Sequence, residues 1–414
     1  MTTATATAAR PTRITSIDAL RGFVMFTMIF VNDLAGGGKI VPNWMVHFSD
    51  RHKGGSGMTF VDVVFPAFLF IVGMSVLFAL GSRLNSGEPV WKTLLHVLGR
   101  TLSLLFLGVL MVNEAPSSEK MGWSDTLWSV LMYVSAIFAF CSLSPGKSEA
   151  AAKRTRIFSS VSLILRGIGW VMLIWLAFAW RGENNQHIIT LSPFSIRTEW
   201  WGILGIIGWA YLTGSLVFLL FRNNRTALLG CVVLLLCIFP ADKKGFFDNF
   251  WLNNLIGIGE LGSHASITVA GILLASILVA PEMVTVRARA QFALLFIGGF
   301  AVSAILLKGL YGISKNNATP SWCLWAGAIT AALWLVFYFI ADVRRVAFIA
   351  RPLAVGGQNV LLAYLFSEML PNPFHLIRLA EPGLAAVVAQ SAGWAFVLLC
   401  ITAGLNRLGF WLKL

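Results

Sequence analysis

The chain has 414 residues and a mean hydropathy of +0.78, and only 12% of its residues are charged, against about a quarter in soluble domains; this excludes a soluble globule and defines a polytopic membrane protein. A net charge of +13 would suit nucleic acid in a soluble protein. Here the basic residues stand in short loops between apolar runs, where they set topology and meet anionic headgroups, so the partner is the lipid bilayer and no nucleic acid is expected.

In chain order, residues 1–15 read as a short Ala/Thr-rich cytoplasmic tail, and the remainder as one transmembrane domain, 16–414. The first apolar run lacks a small-x-small cleavage site and reads as a retained helix. A span needs about 20 apolar residues. Candidate spans lie near 17–36, 60–82, 93–113, 124–143, 157–180, 200–221, 226–240, 264–281, 291–311, 321–341, 355–370 and 386–404. The predicted fold is therefore all-α, a helical bundle of 11–12 spans. With the N-terminus in the cytoplasm, eighteen Lys and Arg residues fall on the inner side and ten on the outer, which supports that orientation in a cell (inner or plasma) membrane. The outer loops carry most of the polar, aromatic and glycine content and are placed to roof a cavity. The five cysteines, at 141, 231, 237, 323 and 400, have no metal-type spacing and read as small core residues without disulfides. Small residues on apolar faces allow a homodimer.

Residues that a bilayer rejects come next, since a charge at mid-membrane costs about 2.5–3.5 kcal/mol on insertion scales. Asp18 and Arg21 lie three apart at the inner end of the first helix, either as a capping and ion-pair device with Ser16 or as the mouth of a cavity for an anionic cofactor. Asn32 and Asp33 close that helix about three turns on. The loop Trp44-Met45-Val46-His47-Phe48-Ser49-Asp50-Arg51-His52 follows, and Asp62 opens the next helix, either as a helix cap or as a partner for the loop histidines. Histidine takes and returns a proton near neutral pH, and a neighbouring carboxylate orients the ring. Weaker candidates are Glu260 and His264, four apart on a glycine-rich approach, and Asn359 and Glu368 inside a helix. No P-loop, HExxH, GxSxG or cysteine metal motif is present, and no metal is expected.

Two blocks, Ser16-Ile17-Asp18-Ala19-Leu20-Arg21-Gly22 with Phe30-Val31-Asn32, and Asp62-Val63-Val64-Phe65-Pro66-Ala67-Phe68-Leu69-Phe70, resemble the heparan-α-glucosaminide N-acetyltransferase family. Weaker echoes are Trp201-Gly202-Ile203-Leu204-Gly205, Asn316 to Trp322, and Gly357-Gln358-Asn359-Val360, so the likeness runs from about residue 14 to 370. The resemblance implies a transmembrane acetyltransferase that takes acetyl-CoA, as co-substrate, from the cytoplasm and passes the acetyl group to an amino sugar or glycan outside. It implies catalytic roles for Asn32, Asp62 and a loop histidine; Asp18, Arg21 and Asn359 would bind the cofactor, and Asp33, Glu260, His264, Asn316 and Trp322 the acceptor. Trp-x-x-His favours His47, whereas the spacing to Gly57-Met58-Thr59 favours His52; His47 is preferred. The loop between Asn32 and the histidine is longer than in lysosomal relatives, and Gly205-Ile206-Ile207-Gly208 lacks the Gln-Arg pair that many carry. In the expected chemistry His47 acts as general base or acetyl carrier, Asn32 donates to the oxyanion and Asp62 orients the ring. Composition alone equally suits a secondary transporter for a sugar or glycoconjugate, or a non-catalytic subunit of envelope synthesis.

Overall fold

A computed structural model describes residues 14–52, 54–144, 151–192, 194–222, 224–376 and 383–413. The tail to residue 13, with Arg10 and Arg13, and Lys53, Lys147 and Arg378 of the charge count lie outside the described residues.

Thirteen principal helices form a membrane bundle among the described residues: α1 (Thr15–Leu34), α2 (Val61–Asn85), α3 (Val90–Val112), α4 (Asp125–Ala139), α5 (Ala151–Ala179), α6 (Gly202–Phe221), α7 (Arg225–Lys243), α8 (Ile258–Ala275), α9 (Val286–Tyr311), α10 (Pro320–Phe337), α11 (Ala347–Gly356), α12 (Val360–Met369) and α13 (Leu384–Arg407). Ten are long and apolar enough to cross a bilayer, and α11 with α12, bent by 66° at their junction, have together the length and composition of an eleventh, broken span or of a re-entrant loop. The all-α membrane bundle is thus as expected, but two of the twelve candidate spans differ. The run 124–143 yields only the fifteen residues of α4, about 22 Å of helix, short of a hydrocarbon core of about 30 Å. Ser124 caps its start through Leu127 N–H, and after Phe140 the chain turns extended as β1 (Cys141–Leu143). The run 355–370 is broken at Gly357-Gln358-Asn359.

Short strands lie outside the bundle. Strand β1 pairs antiparallel with β4 (Phe410–Leu412), and β2 (Ile189–Leu191) with β3 (Phe194–Ile196). The cysteines are free, with Cys141 and Cys323 buried.

The interior divides into two apolar clusters. One packs α2, α6, α7, α8, α9 and α10 around the almost fully enclosed α8, and the other packs α3, α4, α5, α12 and α13; α1 contributes to both. Two crossings are backbone on backbone. A Cβ at Gly73 of α2 would collide with the Thr268 carbonyl, and one at Gly271 of α8 with the Phe70 carbonyl. Gly22 of α1 and Gly357 abut in the same way, which brings the break between α11 and α12 directly against α1.

Candidate active site

A cavity of about 510 Å³ follows the seam between the two clusters, walled by α1, α2, α3, α6 and α12. Arg21 and Asn32, both on α1, line opposite ends; eleven residues of helix separate them by about 16 Å. The cavity therefore runs most of the depth of the bundle.

At the Asn32 end stand His47 and Lys315. His47 Nδ1 is 2.8 Å from Asp62 Oδ1. A carboxylate only accepts, so in the neutral ring Nδ1 carries the proton and Nε2 keeps its lone pair. Asp62 is 1% exposed, so its position is fixed by its bonds. Its Oδ2 accepts from the Phe48 N–H at 3.1 Å and the Thr59 N–H at 2.9 Å, and its own carbonyl accepts from Trp322 Nε1 at 3.2 Å. The Thr59 bond ties Asp62 back to the residue before the helix cap. One Asp62 oxygen thus accepts from the backbone around the helix start, and the other faces His47 Nδ1.

Lys315 is the residue that the sequence reading passed over, counting it only as an outer-loop charge. Its Nζ lies 3.3 Å from both His47 Nδ1 and Nε2. Burial pushes its pKa below the ordinary lysine value, with Asp62 and Asp50 opposing. Its loop is sewn to the histidine loop: Ser56 Oγ accepts from Ile313 N–H at 2.8 Å, and Gly57 N–H donates to the Ile313 carbonyl at 2.9 Å. Ala318 holds a left-handed φ of 46°, closing the turn through its N–H to the Lys315 carbonyl. Proximity to the quoted Asn316 to Trp322 stretch was the available signal for Lys315.

At the other end, Arg21 donates to Asp18 Oδ1 at 2.8 Å, to the Gly357 carbonyl at 3.3 Å and to Ser75 Oγ at 2.7 Å. Ile14, the cap residue of α1, receives no side-chain cap bond, so the ion pair rather than the cap describes Asp18. Arg100 and Lys413 also line the cavity, with the Arg100 guanidinium 4.6 Å over the Tyr211 ring. Cations thus gather at this end.

The remaining predicted residues are dispersed. His52 is exposed and stacks on Phe48 at 4.5 Å, outside the cavity lining. Asn359 borders the cavity, but its amide is engaged: Nδ2 donates to Asn406 Oδ1 at 2.9 Å and Oδ1 accepts from Leu412 N–H at 3.2 Å. Asp33 turns away to Asn372 (2.8 Å), Ser391 (2.7 Å) and His375 (3.1 Å), tying the loop after α12 to α1. His264 is buried edge-on between Phe65 and Trp322, and Trp322 is 0% exposed, so both support Asp62 from beneath. Glu260 and Asn316 are exposed, and neither lines the cavity. Among the described residues no cluster could hold a metal ion.

Fold and site together define a multi-pass helical membrane protein with an Asp–His pair at one end of an intramembrane cavity and cations at the other. The family model described as "Domain of unknown function (DUF5009)" matches residues 13–256, and the chain belongs to that family. The heparan-alpha-glucosaminide N-acetyltransferase of Homo sapiens is 24% identical over 385 residues, 88% of this chain and 54% of that protein. The Mus musculus protein of the same name is 24% identical over 382 residues, 87% and 54% respectively. The chain thus spans about half the length of these curated relatives.

Proposed function

We propose that the protein is a membrane acetyltransferase: acetyl-CoA enters from the cationic end, and its acetyl group passes to an amine, of an amino sugar or glycan, at the His47 end. The observation that carries this reading is the single cavity joining the two ends. The nucleotide of CoA is polyanionic and bulky, so it stays near Arg21, Arg100 and Lys413, while the thin pantetheine arm fits an apolar passage about 16 Å long. The excess of Lys and Arg in the loops on that side supports a cytoplasmic cationic end.

In this mechanism the neutral His47 Nε2 removes a proton as the acceptor nitrogen attacks the thioester carbonyl. Asp62 holds the tautomer and stabilises the imidazolium that forms. Asn32, exposed and lining the same cavity end, donates to the oxyanion. The likeness to two N-acetyltransferases supports the reaction class.

Radiolabelled acetyl-CoA, purified protein and a panel of amino sugars provide the test. Label is expected in an N-acetyl product, His47→Ala is expected to abolish transfer while CoA still binds, and unlabelled acceptors throughout the panel with acetyl-CoA unconsumed defeat the proposal. The bent pair α11–α12 at the cavity wall favours one other reading, since broken helices flank transporter sites. A transporter moves its sugar across proteoliposomes without consuming acetyl-CoA.

A further inference from the structure

We propose that Lys315 is a third catalytic residue, a fixed cation that meets the thioester carbonyl oxygen as negative charge builds on it. The assignment rests on the acetyltransferase reading above and adds a member that the histidine, asparagine and aspartate do not supply.

Three observations carry it. First, Nζ lies 3.3 Å from both nitrogens of His47, which holds the cation directly beside the base. Second, among the described residues no carboxylate lies within ion-pair distance of Nζ, although Asp62 and Asp50 are close enough to act through space. A half-buried cation without a direct counter-ion is a poor stabilising device. Burial lowers its pKa, so the fold carries a cost at this position. Third, Lys315 lines the cavity beside Asn32 and His47, on a loop fixed by Ser56, Gly57 and the left-handed Ala318. A cation with that placement is held for charge that arrives with the substrate.

The step balances without a co-reactant. The acceptor nitrogen forms its bond to the carbonyl carbon, and the carbonyl π pair moves to oxygen, which the Lys315 ammonium and the Asn32 amide receive. His47 Nε2 takes the proton from nitrogen. The intermediate collapses, the carbon–sulfur bond breaks, and the CoA thiolate takes the proton from His47. Lys315 keeps its own protons throughout.

The test uses the full chain in detergent with acetyl-CoA, and acetyl-CoA consumption is read with glucosamine and with water as acceptors. Lys315→Met is expected to lower kcat by about 10²–10³, the usual effect of losing one oxyanion partner, with KM for acetyl-CoA changed less than about threefold. Lys315→Arg restores part of the loss. A Met variant within about threefold of the wild-type kcat overturns the assignment, as does a loss that Arg fails to rescue and that tracks a lowered melting temperature. In both cases a wild type that consumes acetyl-CoA and a dead His47→Ala leave the acetyltransferase reading standing. A wild type that consumes none removes that reading, and Lys315 with it.

Discussion

Asp62 uses its two oxygens for different purposes, and the distinction makes its chemistry testable. Oδ2 faces two backbone N–H donors and Oδ1 faces His47. Asp62→Asn therefore either points an amide N–H₂ at those donors or presents it to Nδ1 and selects the wrong tautomer. A loss of about 10³–10⁴ in kcat is expected, the scale seen when the carboxylate of a His–Asp pair becomes an amide, with CoA affinity unchanged; steady-state kinetics and CoA binding check it. His52→Ala, at an exposed stacking residue, is expected to keep near-full activity; a dead His52→Ala beside an active His47→Ala would exchange their roles. Lys315 also gives a pH prediction. Its folded pKa lies below its unfolded value, so between the two the unfolded chain binds more protons and stability rises with pH. Lys315→Met is spared the cost of the buried charge at neutral pH and is expected to melt higher than the wild type at pH 7. The gap should narrow as pH climbs toward the unfolded lysine value, and melting curves across pH decide it.

At the scale of elements, helix contacts explain what could be read from sequence and what could not. Long apolar runs gave ten spans directly, because length and hydropathy are local properties. The shortness of α4 was hidden, since residues 141–143 are equally apolar but leave the helix to pair with β4, some 270 positions away. The same limit governed the site. His47, in the loop, and Asp62, at the start of the helix that follows it, are fifteen residues apart and were legible as a pair. Lys315 joins them across 268 residues, through a loop pairing that no local pattern announces. Trp322 and Asn359 were recognised as polar points but assigned to ligands, because sequence shows a donor without showing the carbonyl or amide that occupies it. The α2–α8 crossing gives the test here. Gly271→Val places a branched side chain against the Phe70 carbonyl. It is expected to cost about 1–3 kcal/mol or more, seen as a lowered melting temperature and loss of the monodisperse detergent peak, whereas Gly298→Ala, in open space on α9, is expected to leave both unchanged.

At the scale of the whole molecule, the proposed transfer connects two compartments through one passage, and that coupling is testable apart from the chemistry at either end. Ile207 of α6 lines the cavity wall, away from His47 and Arg21 by sequence and by element. Ile207→Trp fills the passage where the pantetheine arm would lie, and Ile207→Val leaves it open. If the acetyl group travels through the bundle, the Trp variant binds the adenine nucleotide portion of CoA normally but transfers nothing, while the Val variant transfers at close to the wild-type rate. Sidedness supplies the second arm. In a cysteine-free background, Asn316→Cys and Ser86→Cys place thiols at exposed positions in loops of predicted opposite side. The proposed orientation, with the loops rich in Lys and Arg inside, predicts that an impermeant maleimide labels Asn316→Cys in intact cells and Ser86→Cys only after permeabilisation. Labelling of both from the same side would place the His47 loop and the cationic mouth in one compartment. The cavity would then be a binding pocket, and transfer across the membrane would be excluded even if acetyl transfer itself persisted.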